Sequence, residues 1–138
     1  MIVIDASVLV DALVDDGPVG GRARAALLDD LHWAAPVHLV VEVVSTVRGR
    51  VLGDKLTARR GRASLEALQE LTIELVDPMD LVDRMWELRR NLTAYDATYV
   101  AAAESLDCRL VTTDGRLGRA RGLRCAVQVV GGQRGQRR

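Results

Sequence analysis

"MIVIDASVLVDAL" (1–13) decides the fold. A run of apolar residues ends at Asp5, and apolar spacing of helical period begins straight after it. A buried strand that passes directly into a helix is the opening of a β–α unit. The pattern returns near the other end: "CRLVTTDGRLGRARG" (108–122) reads as a strand, an aspartate at 114 and a short helix. Working outward, the spacing predicts strands over 2–5, 72–76, 108–112 and 125–130, with a short strand and turn over 31–36. Helices are expected over 6–14, 37–52, 57–71, 79–91, 94–107 and 114–122. "DDGPVGG" (15–21) is a turn with helix-start signals, and "RARAALLDD" continues from it as an amphipathic helix. This alternation implies one α/β domain with a central, mostly parallel sheet flanked by helices.

A chain of 138 residues is a single domain of common size. The domain is expected over 1–131, with "GQRGQRR" (132–138) as a basic, disordered tail. No segment reaches the length of a membrane span, so no membrane association is expected. The N-terminus lacks a basic n-region and Asp5 interrupts its apolar run, which argues against a signal peptide. Cys108 and Cys125 form neither a disulfide framework nor a metal spacing and read as buried, reduced thiols. Together these features suggest a cytoplasmic protein.

The formal charge is zero, with 19 basic and 19 acidic residues, yet the bases are unevenly spread. Arg48, Arg50, Lys55, Arg59, Arg60 and Arg62 form one group. Arg116, Arg119, Arg121 and Arg124 form another with no acid among them. Guanidinium forks match phosphate oxygens, so a polyanionic partner is one reading and an ordinary solvated surface the other.

Four acids stand out. In parallel α/β sheets chemistry sits beyond the carboxyl ends of the strands. Asp5 and Asp114 both occupy such ends. Glu42 lies in the almost uncharged helix "HLVVEVVSTV", and Asp96 in the first turn of "AYDATYVAAA". No lysine or arginine lies one helical turn from Glu42 or Asp96. Each acid has an ordinary explanation: Asp5 and Asp114 as helix caps, Asp96 at a helix dipole, Glu42 facing solvent. Taken together they point to a hard cation with oxygen ligands, Mg²⁺ or Mn²⁺ rather than zinc. Ser7 and Thr112, each two residues from an aspartate, are candidate accessory hydroxyls, or plain turn hydroxyls.

"VIDASVLVDAL", "PVHLVVEVVSTVRG", "LTAYDATYVAAAESL" and "LVTTDGRLGRA" together resemble the PIN-domain family, and more narrowly its VapC-type ribonuclease toxins. The resemblance runs in order from residue 2 to about 130. It places the family's acidic quartet on Asp5, Glu42, Asp96 and Asp114, as catalytic and metal-binding residues, and its accessory hydroxyls on Ser7 and Thr112. It implies a Mg²⁺- or Mn²⁺-dependent endoribonuclease that cleaves cellular RNA such as tRNA or rRNA by attack of a metal-activated water. It also implies a homodimer, silenced by a VapB-type antitoxin in a complex that can be larger. With the quartet set aside the remaining surface is net positive, which favours RNA contact through Arg48, Arg116 and Arg119.

The rivals within the family are a housekeeping RNA-processing PIN nuclease and a non-catalytic RNA-binding PIN module. Haloacid-dehalogenase phosphotransferases need a second aspartate where Ser7 stands. Receiver domains need a lysine near the last strand, and the only lysine is Lys55. Dinucleotide-binding domains need glycines that "IDASVLV" lacks. His32 and His38 are expected to be non-catalytic, Trp33 and Trp86 to be core or interface aromatics, and Asp11, Asp15 and Asp16 to be surface acids.

Overall fold

The first strand, β1 (Ile2–Ile4), is wholly buried and runs into α1 (Ala6–Val14) with Asp5 at the N-cap position. In this computed structural model, which describes residues 1–131, α2 (Pro18–Leu28) follows, with proline in its first turn. Its start needs Gly20: a Cβ there would lie 1.8 Å from the Asp15 carbonyl oxygen. Next come β2 (Trp33–Pro36), α3 (Leu39–Leu52), α4 (Ala58–Glu70) and β3 (Ile73–Val76). Gly53 ends α3, and Thr57 caps α4 by accepting the Arg60 N–H. After α5 (Val82–Glu87) come α6 (Ala94–Ser105), β4 (Arg109–Thr112), α7 (Gly115–Arg119) and β5 (Val127–Val129). The basic tail expected over 132–138 lies outside the described residues.

The helix expected over 79–91 is not continuous. Pro78–Leu81 is a 3₁₀ turn capped by the Asp77 side chain, α5 covers six residues, and turns lead on to Thr93. Its apolar residues do not form one buried stripe. Leu81 and Leu88 are buried, while Val82 and Trp86 are 51% and 68% exposed. A helix of that length gains its stability from a buried face, and this segment has too little of one.

The sheet has five strands in the order β3-β2-β1-β4-β5, and every pairing is parallel. β1 lies at its centre, with Ile2, Val3 and Ile4 opposite Arg109, Leu110 and Val111 of β4. From β1 to β3 the chain moves one way across the sheet, and β4 and β5 lie on the other side of β1. Right-handed crossovers therefore put α1 to α4 on one face and α5 and α6 on the other. α6 fits closely over β1, β2 and β4 because Ala97, Ala101, Ala102 and Ala103 are small and buried. Cys108 and Cys125 are free but half-buried rather than buried. Among the described residues no helix is long and apolar enough to cross a membrane.

Candidate active site

Parallel topology gathers the acids at one edge. Helices that follow a strand begin at the strands' carboxyl end, so α1, α3 and α7 all start there. α6 precedes β4 and runs against it, so it starts there too. Asp5 is at the N-cap position of α1, Glu42 in the first turn of α3, Asp96 in the first turn of α6 and Asp114 at the N-cap of α7. Four positive helix ends thus face four carboxylates. β1 and β4 are neighbours, which makes this edge the topological switch point of the sheet.

Asp5 occupies a cap position without capping: its side chain makes no bond to the helix N–H groups. Its Oδ2 instead accepts the Thr112 hydroxyl at 2.6 Å and the Ser7 hydroxyl at 2.9 Å. Only 7% of the residue is exposed. The hydroxyls are held in turn. Thr113 N–H donates to Ser7 Oγ at 3.2 Å, and Asp114 N–H donates to Thr112 Oγ1 at 3.0 Å. A buried aspartate whose cap role has been given up for two fixed hydroxyls needs another explanation than helix capping.

The other acids share its field. Burial pushes Asp96 above its ordinary value, and the charges of Asp5 and Asp114 push it further. Burial also raises Glu42, with Asp5 and Asp96 adding to the effect and the Tyr99 hydroxyl and His38 opposing it. Asp114 goes the other way: the Arg116 guanidinium bonded to it holds it low, against some burial. Its Oδ1 also accepts the Arg116 backbone N–H at 2.9 Å, so Asp114 does cap α7.

Two contacts at Glu42 were not foreseen in the sequence. Tyr99, fully buried on α6, donates its hydroxyl to Glu42 Oε1 at 2.8 Å. His38 Nε2 lies 3.1 Å from the same oxygen, but off the hydrogen-bonding direction, so this buried nitrogen has no partner. The usable signals were small: Tyr99 stands three positions after Asp96 and His38 four before Glu42, both helical neighbours.

The basic residues divide. Arg116 and Arg119 are exposed beside Asp114, and the charges of both lower it. Arg48 is exposed along a groove between α3 and α4, six residues beyond Glu42 and so about 9 Å further from the acidic edge. Its group is partly occupied by pairs: Arg50 with Asp11, Arg60 with Asp16 and Arg62 with Glu66. His32 lies at an exposed contact with Glu74, away from the acids. Trp33 packs against the core and donates to the Leu27 and Asp30 carbonyls, while Trp86 is exposed under Arg89.

The donor set at this edge is all oxygen and negatively charged, the chemistry that suits Mg²⁺ or Mn²⁺. Among the described residues, however, no three acidic, histidine or cysteine side chains are grouped to hold an ion as they stand. Arg116 also takes both oxygens of Asp114, and Tyr99 takes one of Glu42. The residues fit a hard cation in kind, and Arg116 would have to yield to it.

A family model for the PIN domain matches residues 2–123, a span that includes all four acids. Ribonuclease VapC9 of Mycobacterium tuberculosis is 42% identical over 132 residues, 94% of this chain and 98% of that protein. Ribonuclease VapC1 of the same species is 40% identical over 130 residues, 93% of this chain and 96% of that one. The crystal structure of M. tuberculosis VapC20, described as a sarcin–ricin-loop-cleaving toxin, aligns with a TM-score of 0.67 at 16% identity, covering 86% of this chain and 94% of that one. VapBC2 of Rickettsia felis, solved with a DNA fragment from its promoter, aligns at 0.66 and 13%, covering 94% and 99%. At such identities the two structures bear on the fold alone. The family model and the VapC relatives, falling on a chain whose central strands bring Asp5 and Thr112 together, make this protein a member of the PIN-domain family, close to its VapC proteins.

Proposed function

We propose that this chain is a Mg²⁺- or Mn²⁺-dependent endoribonuclease, the toxin of a toxin–antitoxin pair acting in the cytoplasm. One observation carries the reading: Asp5, buried and held by Ser7 and Thr112, shares one electrostatic neighbourhood with Glu42, Asp96 and Asp114 at the switch point of the sheet. The names of the VapC relatives favour a toxin over a housekeeping nuclease.

Asp5, Glu42, Asp96 and Asp114 would hold the cation. When bound, it supplies a nucleophile at neutral pH and stabilises charge on the phosphate and its leaving oxygen. Ser7 and Thr112 fix Asp5, so its carboxylate does not need to reorganise. Arg116, once released from Asp114, is free to contact the phosphate backbone, with Arg119 beside it. A structured RNA such as tRNA or rRNA is the substrate we favour. The partners we propose are a VapB-type antitoxin and a second copy of the chain. Exposed apolar residues support a protein partner, among them Val40, Val41 and Val44 of α3, with Met79, Val82 and Trp86.

The test is incubation of the purified protein with total cellular RNA in Mg²⁺, in Mn²⁺ and in EDTA. Discrete fragments that need the metal are expected. Tight RNA binding without cleavage under any metal would instead favour a non-catalytic binding module.

A further inference from the structure

Tyr99 heads the fully buried side chains by volume, yet it carries a hydroxyl. A buried hydroxyl needs a partner, and this one is spent on Glu42 Oε1, 57 positions away in sequence, at 2.8 Å. The ring is locked as well. It meets His38 edge-on with centroids 5.0 Å apart, and His38 meets Tyr95 edge-on at 5.6 Å. The phenol is the donor in this bond, because a carboxylate oxygen only accepts. Glu42 itself has about a third of its side chain exposed. Both contacts to its carboxylate fall on Oε1, and among the described residues Oε2 takes no side-chain bond.

We propose that Tyr99 is a positioning residue for Glu42: the fixed phenol holds one carboxylate oxygen so that the other is presented to a divalent cation shared with Asp5, Asp96 and Asp114. The inference rests on the metal-nuclease reading above. A free glutamate must surrender rotamer freedom when a cation arrives, and a tethered one has already done so. Tyr99 stands one turn along α6 from Asp96, so that helix supplies one candidate ligand and orients another on α3. Partners one shell outside the ligands typically matter by about tenfold or more in metal affinity.

The test is a cycle of Tyr99→Phe, Glu42→Asp and the double variant. Glu42→Asp keeps the charge but shortens the arm away from Tyr99. Mn²⁺ binding is followed from the resonance of the free aquo-ion at fixed pH, and thermal melts in EDTA check folding. Tyr99→Phe should bind Mn²⁺ about tenfold more weakly while melting as a folded protein, and the double variant should bind no more weakly than Glu42→Asp alone. Wild-type affinity in Tyr99→Phe, or losses that add in full, would overturn the inference and leave the nuclease reading standing. Should Tyr99→Phe not fold, Glu42→Asp decides, because wild-type affinity there shows that no tether is needed. A wild type that neither takes up Mn²⁺ nor cleaves RNA removes the nuclease reading and this inference with it.

Discussion

Arg116 grips both carboxylate oxygens of Asp114: its Nε lies 3.1 Å from Oδ1 and its Nη2 2.7 Å from Oδ2. Yet 80% of the arginine side chain is exposed. The acidic edge thus has a counter-ion from its own chain, held on the surface, where it can be exchanged for a stronger one.

Arg116→Ala should therefore separate two properties. Mn²⁺ should bind the variant more tightly, because one competitor for the Asp114 oxygens is gone. RNA should bind it less tightly in EDTA, because a cation facing the phosphates is gone. Calorimetric titration with each ligand reads both. Weaker Mn²⁺ binding in the variant would contradict the competition.

Replacing Arg116 and Arg119 together should flatten the salt dependence of RNA binding. Each phosphate that no longer has its arginine should lower the slope of log K against log salt by about 0.7 for a single strand. Filter binding from low to moderate salt measures this. An unchanged slope returns both residues to the role of solvated surface.

Asp5→Asn keeps the shape that Ser7 and Thr112 hold but removes the charge. Cleavage should fall by roughly a hundredfold or more, the scale on which one electrostatic interaction with a developing charge counts. The far-ultraviolet circular dichroism should not change. Near-wild-type cleavage would take Asp5 out of the mechanism.

Asp96→Asn tests the mutual repulsion of the acids through pH. The folded value of Asp96 is raised from its ordinary 3.8 by burial and by Asp5 and Asp114. Below 3.8 the group is neutral folded or unfolded, and as pH rises through the raised folded value its charge appears against the fold. The wild-type melt in EDTA should lose ground over that window while the variant's does not, leaving the variant about 2–5 °C higher at neutral pH. Mn²⁺ should raise the wild-type melt more than the variant's. A variant that melts lower at every pH, with no response of the wild type to metal, would rule out a shared site.

Glu104→Gln bears on the scaffold. Glu104 accepts from Arg84 Nε at 2.6 Å and from the Arg124 backbone N–H at 2.7 Å, with its side chain only 10% exposed. Neutralising one partner of such a part-buried pair should cost about 1–2 kcal/mol. Burial opposes ionisation, but the bonds from Arg84 and Arg124 outweigh it and hold Glu104 below its ordinary 4.5. Its contribution is complete above 4.5 and is lost as pH falls through the lower folded value. The stability gap between wild type and variant, from urea unfolding, should therefore be wide at neutral pH and close on acidification.

The sheet was legible because its signals are local. "IVI" runs straight into Asp5 and "RLVT" comes within two residues of Asp114, and parallel pairing follows from the helices between them. Strand order is not written in local pattern, and it is the pairing of Ile4 with Val111 that makes β1 and β4 neighbours. The break in the segment 79–91 was hidden because apolar spacing does not reveal whether a face finds anything to cover it. At the site the acids could be picked out by their surroundings, and Ser7 and Thr112 by spacing from them. Tyr99 could not, since a tyrosine in an alanine-rich helix reads as core until a partner 57 positions away meets its hydroxyl. Arg116 looked like a ligand for RNA, and nothing in the spacing showed that its first partner is Asp114.

The hydroxyl of Thr112 reaches Asp5 across 107 positions of chain. During synthesis Asp5 and Ser7 are therefore made together, and Thr112, the second hydroxyl that holds Asp5, only 107 residues after Asp5. At about 5–20 residues per second, roughly 5–20 s pass before Thr112 has been added at all. Asp114 follows two residues later, so a nascent chain cut short before Thr112 lacks both that hydroxyl and the last of the four acids. On the proposed reading, a product cut short before Thr112 cannot assemble the acidic site and is harmless to the cell that makes it.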